Sequence, residues 1–234
     1  MNSRCSQANS PDQTAPQSCF WGRYGQVNEQ PEKKHIARLE SLGKPMLSQV
    51  GPMSLAQLLG LFDAQVVNGR HYALRTRWLA DLAPEIISAV ATAGAARTSP
   101  LSMIALHHFH GAGTRVAPGA TAFSMRRNHF MMEIIAAWDP TSVVEAEIHR
   151  QWMSDLSATL APHALPGGYA NFLGPDCHDQ IADAYGDNAR RLCEVKQKYD
   201  SDNVFSSAIP LPDLSLPNQN TKQSGLEVTD ENEF

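Results

Sequence analysis

A chain of 234 residues, 42% hydrophobic and 18% charged, can bury roughly two-thirds of its unfolded surface, which excludes wholesale disorder. A net charge of −5, with Arg126–Arg127 as the compact basic pair of its middle, argues against a phosphate-tracking face, so no nucleic acid is expected as partner. No apolar run nears the ~20 residues that span a bilayer, and the first eighteen residues lack the apolar stretch of a secretory signal; no membrane partner and a cytoplasmic location are expected.

Residues 1–31, rich in Ser, Gln, Asn and Pro, are predicted to form a disordered leader. Cys5 and Cys19 fall in it, while Cys177 and Cys193 stand apart near the other end. Without a Cys-x-x-Cys pair, neither a disulfide framework nor a zinc knuckle is expected. Ser54 can cap a helix through Leu55, Leu58, Leu59 and Phe62. A strand is predicted over His71–Thr76, and Pro84 opens a helix through Ile86, Ile87 and Val90 that ends near Gly94.

Three further strands are predicted, over Leu101–Phe109, Gly113–Val116 and Phe130–Trp138. From Met131 to Ala137 the last is apolar except for Glu133, which predicts cover on both of its faces. The clearest helix follows Asp139–Pro140: Val144, Ile148, Trp152, Leu156 and Leu160 recur every four residues and are expected to form one core-facing stripe. A helical stretch around Ile181 and Tyr185 breaks at Gly186. Asp187 is then expected to cap a last helix through Leu192, Val195 and Tyr199. Residues 213–234 are polar and acidic and read as a disordered tail. Strands in the middle with helices before and after predict an α+β fold, an antiparallel sheet covered by helices on one face.

Three segments resemble one family. LHHFHGAGTRVAPGATAFSMRRNHFMMEIIAAWD, residues 106–139, is similar to its strand–turn–strand block, with Gly111, Thr121–Phe123, Arg126 and Trp138 at the marked positions. GGYANF, residues 167–172, resembles its Tyr-x-Asn-Tyr/Phe motif. YGDNARRLCEVKQKYDSDNVF, residues 185–205, resembles its tail signature. In this order and spacing they identify a berberine bridge enzyme-like FAD-linked oxidoreductase, over about Glu32–Pro210. The resemblance implies a substrate-side α+β domain at 32–165, of the vanillyl-alcohol-oxidase-like flavoprotein fold, and a berberine-like segment at 166–212. It also implies FAD as cofactor, a small-molecule substrate oxidised by hydride transfer to flavin, and O2 as the acceptor. No counterpart of the FAD-binding domain is recognisable, and GAG at 111–113 lacks a third glycine and does not open a helix. FAD is therefore not expected to stay on this chain alone. The expected partner is a chain carrying an FAD domain. The other reading is a non-catalytic remnant or split-enzyme subunit that binds a small molecule or such a chain.

Alcohol oxidation needs a base within reach of the hydroxyl. The family's usual base positions fall on Phe172, which has no exchangeable proton, and on Thr114, which has no carboxylate. His110 stands beside them as the candidate acid/base group; the alternative is a strand histidine bonded to backbone. By resemblance, Asn171 binds near the flavin edge and Tyr169 lines the site, as a cofactor-binding and catalytic candidate. His108, Thr114 and Phe172 are candidate substrate-lining residues. On a strand, His108 and His110 share one face and His107 takes the other. Only two of the three imidazoles can converge, and no metal site is expected. Arg115 and Arg126 could anchor an anion, with Arg126 favoured as structural after the Phe-x-x turn. Arg191 and Lys196 are expected to fix the tail against carboxylates, Leu192 to be core, and Asp200 and Asn203 to form the turn that ends the helix.

Overall fold

The computed structural model describes residues 37–38, 41, 51–63, 66–140, 143–207 and 209–212. The expected leader with Cys5 and Cys19, and the expected tail at 213–234, lie outside the described residues. So do the side chains of Phe62 and Val144. The chain divides into two compact units, 1–69 and 70–234.

In the first unit, the Ser54 hydroxyl accepts from the Gln57 amide and the Gln57 side chain accepts from the Ser54 amide. This reciprocal capping box satisfies two otherwise orphaned donors. It starts helix α1, Leu55–Leu59, which tightens into a 3-10 turn over Gly60–Phe62.

The second unit is built on three antiparallel strands: β1 (His71–Leu79), β2 (Met103–Phe109) and β3 (His129–Trp138), in the order β1-β3-β2. Register fixes the faces. Trp78 and His107 both lie opposite Met131, and Phe109 lies opposite His129. Residues opposite each other share a face and neighbours along a strand alternate. Leu79, Met132, Ile134, Ala136 and Trp138 therefore share one face and are buried. Helix α2 (Pro84–Ala95) and helix α3 (Val143–Leu160) cover that face with Ile86, Trp152, Met153, Leu156 and Leu160. The Trp152 indole N–H donates to the Ala93 carbonyl at 2.9 Å, tying α3 to α2. Helices thus lie on one face of an antiparallel sheet, the expected α+β architecture.

The four-residue stripe of α3 is corrected in part. Each step of four overshoots the 3.6-residue turn by about 40°, so the line rotates off the core over four steps. Trp152, Leu156 and Leu160 are buried, but Ile148 is 51% exposed, and Ala146 and His149 take the buried positions at that end. His149 stacks on Trp138 and its Nδ1 meets the Thr98 hydroxyl at 2.7 Å.

Two further local expectations fail. Residues 113–116 form no strand, because Gly111–Arg115 is a 3-10 turn. Gly111 enters it at φ 71°, the Thr114 hydroxyl donates to the Gly111 carbonyl, and a Cβ on Gly113 would lie 2.8 Å from the Phe109 ring. Asp187 caps no helix either: a 3-10 turn at Gly186–Asn188 runs straight into helix α5, Ala189–Tyr199. The stretch around Ile181 is helical only over His178–Ile181 (α4), with a turn through Tyr185.

β1 is an edge strand, and residues 164–181 cover its free side. Leu79 bridges Ala164, the Leu165 amide donates to the Trp78 carbonyl, and the buried Gln180 amide donates to the carbonyls of Thr76 and Gly167. Arg75 pairs with Asp176, and Arg77 with Asp179 at 2.5 Å. The buried Arg77 also donates to the Ser157 carbonyl and hydroxyl of α3.

Gly167 sits at φ 79°, and a Cβ there would lie 2.5 Å from the Asp183 carbonyl oxygen; Gly94, within α2, has open space around it. Gly167→Ala is expected to destabilise the protein by about 1–3 kcal/mol through backbone strain and the clash. Gly94→Ala is expected to stabilise it by about 0.5–1 kcal/mol. Denaturant melts of the two variants give opposite shifts of the midpoint.

Candidate functional site

The second face of the sheet carries Trp78, His107, Phe109, His129, Met131 and Glu133, following the same alternation. Above it fold the loop between β2 and β3 and the turn through Tyr169. Together they border an open cavity of about 340 Å3 lined by Trp78, His107, His108, Phe109, Phe123, Arg126, His129, Met131 and Tyr169.

Aromatic contacts shape its walls. Phe123 meets Trp78 edge-on at 6.2 Å and Tyr169 at 6.1 Å, and Phe109 packs on Phe123 at 5.5 Å and on His129 at 4.9 Å. Such tilted and T-shaped pairs are the arrangements ring quadrupoles favour. Arg126 ties the loop together. It donates to the carbonyls of Phe123 and Gly113 and to the Thr121 hydroxyl, and its guanidinium lies 4.9 Å over the Phe123 ring. The expected structural role suits these contacts.

Two imidazoles face this side. His129 is buried, and its Nδ1 lies 2.8 Å from the Arg127 carbonyl. A carbonyl only accepts, so Nδ1 carries the proton and Nε2 the lone pair of the neutral ring. Burial pushes the His129 pKa below its ordinary value. The Arg127 carbonyl opposes that shift, and the charges of Arg127 and His108 add to it. His107 is 57% exposed in its side chain, and its Nε2 lies 3.4 Å from Glu133 Oε1, whose side chain is 13% exposed. Hydrogen bonding to Glu133 raises the His107 pKa, partial burial lowers it, and the Glu133 charge raises it further.

The expected site residues separate. Tyr169 lines the cavity, and Asn171 donates to its hydroxyl at 2.8 Å, holding the phenol in place. Phe172 meets Tyr169 edge-on at 5.3 Å but is not among the lining residues. Thr114 spends its hydroxyl on Gly111. His110 packs at a tilt against His108 at 4.3 Å, and His108 stacks on Phe130 at 4.4 Å. His108 belongs by parity to the face opposite His107 yet reaches the cavity lining, as expected, whereas His110 lies beyond the end of β2 and is not among the lining residues. Burial and the charge of His110 lower the His108 pKa. Among the described residues no group of three or more His, Cys, Asp or Glu could hold a metal ion, and no helix is long and apolar enough to cross a membrane.

His107, His129 and Glu133 were not singled out for this chemistry by sequence. The available signals were Glu133 inside an apolar strand and the parity of His129 with Met131 and Glu133.

The tail signature builds a second, smaller cavity of about 200 Å3, whose lining includes Thr121, Asn188, Arg191 and Leu192. Asn188 donates to the carbonyls of Pro118 and Thr121, and Arg191 to that of Gly119, so Arg191 grips backbone rather than the expected carboxylate. Leu192 is half-buried. Lys196 pairs with Asp200, which is thereby held below the usual carboxylate range, and Asn203 takes the left-handed turn at φ 51°.

A family model described as "Berberine and berberine like" matches residues 168–212. An FAD-linked oxidoreductase of Dictyostelium discoideum is 26% identical over 181 residues, 76% of this chain and 39% of that protein. The FAD-linked oxidoreductase YgaK of Bacillus subtilis (strain 168) is 34% identical over 104 residues, 44% of this chain and 22% of that protein. In fold, the chain resembles BBE-like #28 from Arabidopsis thaliana at 20% identity, with a TM-score of 0.56 over 62% of this chain and 35% of that one. It also resembles berberine bridge enzyme from Eschscholzia californica at 19% identity, with a TM-score of 0.53 over 64% and 34%. Motifs, family match, relatives and fold together support the berberine bridge enzyme-like family, of whose relatives named here the chain spans two-fifths or less.

The depressed pKa of His129 has a direct consequence for stability. A folded-state pKa below the unfolded value favours the neutral ring in the fold. That contribution is full above about pH 6.5 and is lost as pH falls through the folded pKa. His107, with its raised pKa, acts in the opposite sense: its contribution is full below that value and is lost as pH rises. The parent is therefore expected to lose more stability on acidification from pH 7 to 5 than His129→Phe. Denaturant midpoints across this range measure the difference, and parallel curves would count against a buried neutral His129.

Proposed function

We propose that this chain is the substrate-side part of an FAD-linked oxidoreductase that oxidises a small organic substrate by hydride transfer to flavin, with O2 as the final acceptor. The observation that carries the reading is the open face of the sheet. It is walled by Trp78, Phe109, Phe123 and Tyr169, set with imidazoles and closed by the segment that matches the berberine-like family. Flat aromatic walls suit a planar conjugated ring, and a few polar groups among them suit a substrate hydroxyl. The residues present thus fit the ring end of FAD and its substrate. The diphosphate and adenine fall to the portion of the relatives that this chain does not span, as a further part of the protein or as a partner chain.

FAD, when bound, supplies the electron acceptor for the hydride leaving the substrate carbon. This chain's own residues orient the substrate against Phe109 and Phe123, exclude water with Tyr169, and handle the hydroxyl proton. The hydrogen bond from Asn171 fixes the Tyr169 phenol at the cavity wall.

The test supplies what is missing. Alone, the purified chain is expected to show no flavin absorbance. Produced together with the part of a related FAD-linked oxidoreductase that it does not span, it is expected to co-purify with about one FAD per complex. Anaerobic addition of a panel of small alcohols should bleach that flavin, and Phe123→Ala should slow the bleaching about tenfold or more through lost positioning. A flavin-loaded complex that no alcohol reduces would overturn the proposal.

A further inference from the structure

We propose that His107, oriented by Glu133, is the proton acceptor of this cavity: the fold joins an accessible imidazole to a sheltered carboxylate on the open face of the sheet. The inference rests on the function proposed above and names a residue for its proton step.

Glu133 is the acidic residue within the apolar run from Met131 to Ala137 of the central strand. A largely buried carboxylate in such a strand is costly unless it is paired. The register shows how the pairing arises. Ala105 of β2 and Thr76 of β1 lie opposite Glu133, and His107 lies one same-face position along from Ala105. Across the two strands, His107 Nε2 comes to 3.4 Å from the carboxylate. With the Nε2 proton directed at Glu133, the neutral ring carries its lone pair on Nδ1. Among the described residues Glu133 is the one ion-pair or hydrogen-bond partner of this imidazole.

The other charged or titratable groups lining the cavity are committed elsewhere. Arg126, from the β2–β3 loop, is bonded to two carbonyls and a hydroxyl. His129, from β3, has Nδ1 on the Arg127 carbonyl and keeps a lone pair on Nε2, but the residue is buried, whereas the His107 ring is exposed. Tyr169, from the turn after Gly168, receives the Asn171 amide. His108 is stacked on Phe130 and packed at a tilt against His110.

The chemistry balances as a two-part oxidation. The substrate O–H bond breaks, and its proton bonds to the Nδ1 lone pair. The electron pair left on oxygen becomes the second bond of the carbonyl as the hydride departs from the adjacent carbon to the FAD acceptor. Glu133 is a positioning residue: it fixes the tautomer and stabilises the imidazolium that forms. The acceptor form is the neutral ring, so the step is favoured as pH rises through the His107 pKa, which Glu133 holds above its ordinary value.

Ring NMR of the histidines in the purified 234-residue chain, with His107 assigned from the loss of its signal in His107→Gln, tests the pair. In the parent, His107 is expected to titrate above the ordinary value and to show the Nε2–H tautomer at high pH. In the near-isosteric Glu133→Gln, its titration should move down. Titration at the ordinary value in both proteins, or an Nδ1–H tautomer, would overturn the proposal. In the flavin-loaded complex, the rate of flavin reduction should rise through the same pKa, move with it in Glu133→Gln, and lose that dependence in His107→Gln. A dependence lost in His110→Gln and kept in His107→Gln overturns it. A complex that no alcohol reduces defeats the proposed function, while the NMR titration still decides the pair.

Discussion

The site depends on one constraint: an antiparallel sheet covered by helices on one face only. Side chains along β3 alternate between a packed side and an open side. Met132, Ile134, Ala136 and Trp138 go to the helices, and His129, Met131 and Glu133 go to the cavity side. β1 and β2 obey the same sorting through register, which brings Trp78, Met131 and His107 into one row. A slip of one residue in either pairing would exchange the imidazoles for core residues. Burial of Leu79, Met132 and Ile134 opposes such a slip, because each would then face the cavity side and abandon its contacts with α2 and α3. Functional geometry here follows from the hydrophobic pattern of the other face.

The cover on β1 makes the second half of the site. An edge strand offers unpaired carbonyls, and this one gives those of Thr76 and Trp78 to Gln180 and Leu165. The ion pairs that accompany this cover contribute less than their number suggests. Asp176 and Asp179 are 61% and 58% exposed in their side chains, and exposed pairs are worth about 0–1 kcal/mol each. Gln180 matters more, because leaving a buried carbonyl unpaired costs about 1–3 kcal/mol. Its amide binds both Thr76 and Gly167. The turn that carries Tyr169 to the cavity is thus anchored to the sheet two residues before the phenol. Gly167 and Gly168 permit the approach, since a Cβ on Gly168 would lie 2.7 Å from the Gln180 side chain.

Much of this fold was legible because its signals are local or periodic. The apolar run of β3 fixed that strand to within a residue, and Pro84 marked the start of α2. The errors occur where a third dimension intervenes. A four-residue repeat looks like a straight stripe on paper, yet it drifts round the helix and leaves Ile148 in solvent. The segment after His110 has strand-like composition, but Gly111 at positive φ turns it and Phe109 packs beneath Gly113. At the site, parity separated His107 from His108 and His110 at the outset. Which of the two faces stays open depends on where α3 lies, and nothing in the 106–110 run encodes that. Motif positions drew attention to His110, whereas the cavity lies on the His107 side.

The open face also separates two chemically identical groups by environment alone. His129 and His107 are both imidazoles of one sheet face, on adjacent strands. His129 is buried among Trp78 and Phe109 with a carbonyl on Nδ1, and desolvation favours its neutral form. His107 stands nearer solvent against a carboxylate, which favours its charged form. Environments that push like groups apart in pKa are how one site holds distinct proton donors and acceptors near neutral pH. The division follows from the strands themselves. β3 is central, so His129 is enclosed, and β2 is an edge, so His107 keeps access to solvent and ligand. Glu133 can serve His107 without being lost to water because it, too, stands on the central strand. An edge histidine leaning on a central carboxylate combines exposure for the group that exchanges protons with shelter for the group that tunes it.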